Sequence, residues 1–177
     1  VRHSWIVSVC SLVYAVGLSL YALHYLPPVE FTPYRIGADV RAALQGKARD
    51  ADEARLANFY LADMETGEDL TEQVVSDTGY VFVLAVPHVE TADDGCNDRL
   101  NDLYDACNDR GMAFYMATAS DRAGAADWCD RTGAAYRIVM AEDTELQAMV
   151  RSNPGLLLLH DGKIAGKWSN NNLPEAE

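Results

Sequence analysis

Val150-Arg151-Ser152-Asn153-Pro154-Gly155-Leu156-Leu157-Leu158-Leu159-His160-Asp161-Gly162-Lys163-Ile164-Ala165-Gly166-Lys167-Trp168 is the stretch on which the reading of this chain turns. A proline opens an apolar run of four leucines, and Asp161-Gly162 separates that run from a second strand-like segment. Asp-Gly between two such runs is the strongest short-range signal for a β-hairpin. Proline has no N–H to give to a sheet ladder, so Pro154 marks the start of a strand rather than its middle. The peptide bond before it belongs to the kind in which the cis form costs only about 0.5–1 kcal/mol.

Upstream of this hairpin the chain alternates. Tyr80 to Val86 (Tyr-Val-Phe-Val-Leu-Ala-Val) is continuously apolar and rich in β-branched residues, as a central strand buried on both faces requires. Thr91-Ala92-Asp93-Asp94 places acids where a helix start favours them. Cys96, Leu100, Leu103, Tyr104 and Cys107 then recur on one helical face, with Gly111 as the stop. Ala113 to Thr118 reads as a second buried strand, and Ser120 as the cap of a helix running to Arg131 before Thr132-Gly133. Tyr136 to Met140 is a strand and Asp143 to Arg151 a helix. Before Tyr80 the signals are weaker. They predict a short helix over 39–44, a solvated linker over 47–55, a first strand over 56–62 and a short helix over 70–75. The order implies a mostly parallel α/β sheet with helices on both faces and an antiparallel pair at its end.

The length of 177 residues suits one domain with an appendage, and the formal net charge of −13 makes nucleic acid an unsuitable partner, since an acidic surface repels phosphate. Four cysteines without a CxxC pair argue against a zinc site and a disulfide framework, and the residues imply no metal and no cofactor. Trp5 to Leu26 contains no charged residue and is bracketed by Arg2 and Pro27-Pro28. Twenty-two helical residues extend roughly 33 Å, about the thickness of a bilayer's hydrocarbon. Gly17, with Trp5, Tyr21 and Tyr25 at interface-like positions, suits a membrane helix. The run is long for a signal peptide, and no small-residue cleavage site precedes Pro27. The expectation is a transmembrane helix over 1–27, a connector over 28–55 and a globular domain over 56–177. No initiating Met is present, which points to a piece of a longer protein. An acidic domain outside the cytoplasm is the preferred orientation.

A proline opening a buried strand, a turn containing Gly162-Lys163 and a second strand resembles the C-terminal half of thioredoxin-like domains. The resemblance covers roughly Leu56 to Trp168. The segment from Phe59 through Val86 looks like the entry of the peroxiredoxin- and TlpA-like branch of that superfamily. Three further pieces are similar to the C-terminal region of DoxX-type membrane proteins that carry such a domain. They are His24-Tyr25-Leu26-Pro27, the connector Phe31-Thr32-Pro33-Tyr34-Arg35-Ile36-Gly37, and Val150-Arg151-Ser152-Asn153-Pro154-Gly155. The resemblance implies a bacterial inner-membrane protein whose soluble domain is periplasmic, with the last helix of a longer membrane region at residues 1–27.

A redox-active member of the superfamily carries CxxC where the central strand meets its helix, so that the helix end lowers a thiol pKa. In this chain that place falls at Val89-Glu90-Thr91-Ala92, which holds no cysteine. Cys96, one helical turn later, has two readings: a peroxidatic or mixed-disulfide cysteine, or a small apolar residue on the stripe with Leu100, Leu103 and Tyr104. Asp93, Asp94 and Asp98 oppose a thiolate there. Cys107 lies roughly 16 Å along the helix from Cys96, too far for a disulfide. Cys129 beside Trp128 reads as packing, and Cys10 falls in the apolar helix. His88 follows Pro87 at the carboxyl end of the central strand, where open α/β sheets bind ligands. It reads either as a general base or as an exposed loop residue, and Glu90 with Asp93 and Asp94 as a solvated helix start. The resemblance places a binding groove for a protein or peptide between His88, Val89, Glu90 and Thr91 on one side and Asn153 and Pro154 on the other. The two function readings are a redox-degenerate binding or accessory module, and a single-cysteine thiol oxidoreductase or peroxidase using Cys96.

Overall fold

The computed structural model describes residues 4–24 and 32–175. The chain forms two units, residues 1–30 and 31–177. In the first, Ser4–His24 is one α-helix, α1, and its described side chains are largely exposed. Ser8, Ser11, Gly17 and Ser19 interrupt its apolar run, and Ser19 Oγ donates to Ala15 O at 2.8 Å. Among the described residues no helix is long and apolar enough to cross a membrane, so the transmembrane helix expected of residues 1–27 is not supported. Arg2, Tyr25, Leu26, Pro27, Pro28 and Phe31, which entered that expectation and the connector motif, lie outside the described residues.

The second unit is built on six strands: β1 (Ala62–Asp63), β2 (Tyr80–Val86), β3 (Ala113–Thr118), β4 (Arg137–Met140), β5 (Gly155–His160) and β6 (Lys163–Ser169). Their spatial order is β1-β4-β3-β2-β5-β6. Only β2–β3 and β3–β4 pair in parallel; β1–β4, β2–β5 and β5–β6 are antiparallel. The sheet is therefore mixed, not mostly parallel. The reason lies in helix length. α5 (Asn97–Asp109) and α6 (Arg122–Thr132) extend roughly 20 and 17 Å and carry the chain back along the strands, which gives parallel pairs. α7 (Asp143–Met149) extends only roughly 10 Å, so the chain re-enters at the same end of the sheet. β5 consequently starts beside the end of β2, with Gly155 opposite Ala85.

The apolar run of β2 does what its composition predicts. Val83, Leu84, Ala85 and Val86 are all fully buried. Phe82, Leu84 and Val86 share one core with Leu100 and Leu103 of α5, Trp128 of α6, and Phe114, Met116, Tyr136 and Leu156. Asp161 and Gly162 both have positive φ, as a two-residue turn matched to strand twist demands. A Cβ at Gly162 would lie 2.7 Å from Val75 O and 2.8 Å from Arg41 Cβ, so the close approach excludes any other residue.

The residues expected to form a connector and linker fold onto the sheet. Asp39 caps α2 (Val40–Leu44), and Asp50 caps α3 (Ala51–Ala54). Gly37 N donates to Ile164 O at 2.8 Å and Ile164 N to Ala38 O at 3.0 Å, so this segment covers the start of the β6 edge. Arg41 donates from Nε and Nη2 to Val75 O, the end of α4 (Thr71–Ser76), and pairs through Nη1 with Asp161 at 2.8 Å. No strand forms over 56–61; Arg55–Asn58 is a 3-10 turn and the strand is limited to β1. Leu56 is buried within that turn and Phe59 and Leu61 in the segment after it, with Leu61 N satisfied by Thr71 Oγ1 at 3.0 Å.

Glu53 is wholly buried and accepts from Asp39 N at 2.8 Å, Arg49 N at 2.6 Å and the Arg49 guanidinium. The Arg49 guanidinium, then the two backbone donors, hold its carboxyl down to about 2 against the opposing effect of burial. A depressed folded-state pKa stabilises above the unfolded value and is lost as pH falls toward the folded one. Thermal denaturation of the wild type should therefore show a stability loss between about pH 4.5 and 2. Glu53→Gln should lower Tm at pH 7, and the gap to wild type should close over that same acid window.

Candidate functional site

β2 ends at Val86, and Pro87 cannot continue the ladder. The chain then passes through extended His88 into a 3-10 turn, Val89–Thr91. This is the position at which the resemblance to thioredoxin-like domains would place a CxxC pair. Across from it, the loop leaving α7 runs from Val150 to Asn153 and enters β5 through a cis Asn153–Pro154 bond. That loop lies tight over the strand start: a Cβ at Gly155 would be 2.4 Å from Val150 Cβ and 2.9 Å from Ser152 Oγ.

Asn153 joins the two segments. Its Nδ2 donates to His88 O at 2.7 Å and to Thr91 Oγ1 at 3.1 Å, while its own carbonyl accepts from Asp93 N at 2.9 Å. Asp93 in turn accepts from Asn170 Nδ2 at 2.6 Å, which brings the segment after β6 into the same network. His88 Nε2 lies 3.1 Å from Asp143 Oδ1 at the start of α7. Between these elements is a cleft of about 540 Å³, lined by Pro87, His88, Thr91, Gln147, Val150, Arg151, Ser152 and Asn153. It offers amide, hydroxyl, imidazole and guanidinium groups beside the apolar Pro87 and Val150, a surface suited to holding a peptide or small molecule.

Of the residues singled out in the sequence, His88, Thr91 and Asn153 come together on this cleft. Val89 is buried instead, with its N–H donating to Ser120 Oγ at 3.1 Å. Glu90 turns toward the start of α6, accepting from Ser120 Oγ at 3.4 Å. Pro154 is buried beneath its loop. Gln147, Arg151, Ser152 and Asp143 were not anticipated. The only sequence signal for them was their nearness to Asn153 on a short helix and its exit loop. Ser120 does not cap α6; Asp121 does, accepting from Gly124 N at 2.7 Å.

No cysteine lines the cleft. Cys96 is 2% exposed, a member of the main core, and its Sγ approaches Asp93 O at 3.5 Å. Burial, then the Asp93 charge, push its thiol up to about 11, with Arg99 opposing weakly. Burial likewise raises Cys107, which is fully enclosed, and Cys129, which is half-buried. All four cysteines are free. Among the described residues no group of three or more His, Cys, Asp or Glu side chains is placed to hold a metal ion.

No family model matches the chain, and no curated protein matches it in sequence. Solved structures do match in shape. A candidate protein disulfide isomerase from Bacteroides thetaiotaomicron superposes with a TM-score of 0.54 at 12% identity, over 85% of this chain and 84% of that one. The thioredoxin domain of a thiol-disulfide oxidoreductase from Bacteroides vulgatus gives 0.47 at 15% identity, over 62% and 81%. Peroxiredoxin Q from Xanthomonas campestris gives 0.44 at 13%, over 63% and 80%. At such identities the likeness speaks for the fold, and the first carries it: the chain has a thioredoxin-like α/β fold with a mixed sheet and flanking helices.

Asn153→Ala should remove two hydrogen bonds and leave the His88 carbonyl and Thr91 hydroxyl to water. The expected loss is about 1–3 kcal/mol, read as a fall in Tm of roughly 2–4 °C per kcal/mol. An unchanged Tm would mean that the two segments are held apart from this amide.

Proposed function

We propose that this chain is a redox-degenerate thioredoxin-like module that binds a protein or peptide segment in the cleft between residues 87–91 and 150–153, without thiol chemistry. The observation that carries this reading is the Asn153 bridge. The proline-loop framework is intact and pinned to the position where a CxxC would sit, yet every cleft-lining group is a non-thiol. The His88–Asp143 pair and Arg151 supply charge at the cleft, and Gln147, Ser152 and Thr91 supply neutral donors and acceptors. Such a set orients a bound chain by hydrogen bonds rather than by a covalent intermediate.

The second reading, a thiol oxidoreductase or peroxidase using Cys96, rests on one observation: Cys96 directly precedes α5, where helix N–H groups favour an anion. Burial and Asp93 work against it, and a thiol near 11 is almost wholly protonated at neutral pH. Membership of a DoxX-type protein, at the bacterial inner membrane with this domain in the periplasm, is part of the proposal. It is supported by the connector and Arg-Ser-Asn-Pro-Gly matches and by the exposed apolar side chains of α1. Release of the intact chain from membranes by carbonate washing would count against that setting.

Iodoacetamide labelling, followed by peptide mass spectrometry across pH, separates the two activities. Cys96 should label only on denaturation or well above about pH 9, and insulin reduction should be indistinguishable from buffer. Fast labelling of Cys96 at neutral pH, with insulin reduction lost in Cys96→Ser, would establish the thiol reading instead.

A further inference from the structure

A second cavity, of about 410 Å³, lies between the N-terminal half of α6 and the turn after β1. Its lining includes Met64, Ala126, Ile138, Arg122 and Arg137. Arg122 and Ala126 are one helical turn apart and so share a face of α6. Arg137 opens β4, and its guanidinium lies 5.9 Å over the Tyr115 ring and 2.8 Å from Asp63 Oδ2. Asp63 is itself spent: Oδ1 accepts from Glu65 N at 2.9 Å and Thr66 N at 3.0 Å.

Arg122 is the unusual group. Arg35, Arg41, Arg49 and Arg131 each pair with a carboxylate. Arg122 instead donates through Nη2 to the carbonyls of Met64 and Glu65, which fixes its guanidinium at the cavity rim. Its Nε and Nη1, and Nη1 of Arg137, have no partner among the described residues. Two carboxylates, Asp63 and Glu65, line the same cavity, and neither pairs with the Arg122 guanidinium. Asp121 is engaged in capping α6, and Glu65 is exposed and makes no ion pair among the described residues. A chain with net charge −13 thus presents unclaimed guanidinium N–H groups beside an apolar wall.

We propose that this cavity is a binding site for a small organic carboxylate with an apolar or aromatic body. The carboxylate would take the free N–H groups of Arg122 and Arg137, and the body would rest on Met64, Ala126 and Ile138. Charge-assisted N–H···O⁻ bonds, one from each guanidinium, are among the stronger hydrogen bonds, and a volume of this size suits a small ligand. The site is independent of the proline-loop cleft, so its failure would leave that reading untouched.

The probe is benzoate, titrated into the whole chain by calorimetry and by amide-resolved NMR, with benzamide and inorganic phosphate alongside. Benzoate should bind saturably and perturb residues 63–66, 122–126 and 136–138. Benzamide should bind at least about tenfold more weakly, a difference of about 1.4 kcal/mol, and phosphate should bind more weakly than benzoate. Arg122→Gln should weaken benzoate by about tenfold or more. Since that change also removes contacts to Met64 and Glu65, Ala126→Leu provides a second test, filling the cavity without touching a charge. It should abolish binding with Tm unchanged, while Arg151→Gln in the other cleft should leave binding within about twofold. No saturable binding up to about 10 mM, tighter binding of phosphate or benzamide, or benzoate binding indifferent to both Arg122→Gln and Ala126→Leu would overturn the proposal.

Discussion

One side-chain amide ties together the two segments that border the proposed binding cleft. Asn153 projects from the loop leading into β5 and donates to the backbone and a hydroxyl of the turn that follows β2. Both of those segments are otherwise short and irregular. Their positions are inherited from the sheet, since Gly155 stands opposite Ala85, and the amide then fixes the last few ångströms. The crowding of Val150 and Ser152 against Gly155 leaves the loop little freedom to swing away. A cleft with its walls tied together this way loses little entropy on binding.

The same arrangement bears on the proposal that the domain binds without thiol exchange. A reactive thiol requires partial exposure and positive surroundings. Cys96 is enclosed by the α5–α6 core, and burial and Asp93 outweigh the opposing charge of Arg99. Asp93 is occupied structurally, with its backbone N–H on Asn153 and its carboxylate on Asn170. The acid that most disfavours a thiolate is therefore also one that organises the cleft. At the other end of β5, beside the β5–β6 turn, the N-terminal segment of the domain plays a comparable structural part. Arg41 clasps the β5–β6 turn to the end of α4, and the buried Glu53 collects the backbone donors of Asp39 and Arg49.

Much of this fold was legible because its signals are local. The Asp161-Gly162 turn, the seven apolar residues of β2 and the stripe of α5 each report a geometry through neighbouring residues. Sheet direction was misjudged because alternation of strand and helix says nothing about how far a helix returns the chain, and α7 is too short to do so. Residues 56–62 were read as a strand, yet only Ala62 joins β1, while Leu56, Phe59 and Leu61 are buried along a 3-10 turn and the segment after it, with Leu61 N tied to Thr71. Within the site, His88, Thr91 and Asn153 followed from the resemblance to a proline-loop fold. Val89 and Glu90 face elsewhere because a 3-10 turn rotates successive side chains by roughly 120°. Asp143 meets His88 across more than fifty residues of sequence, so beyond their nearness to Asn153 neither it nor Gln147 carried a signal for the cleft.

The central claim is that the cleft binds without a thiol, and amide-resolved NMR titration of a mixed unstructured peptide pool tests it most directly. The comparison is between the native chain and one with all four cysteines replaced by alanine or serine. The account predicts matching perturbations of residues 87–91 and 147–153 in the two proteins, fully reversible on dilution and with no mass adduct. Binding present only when Cys96 is intact, or a mixed disulfide recovered from the native chain, would contradict it.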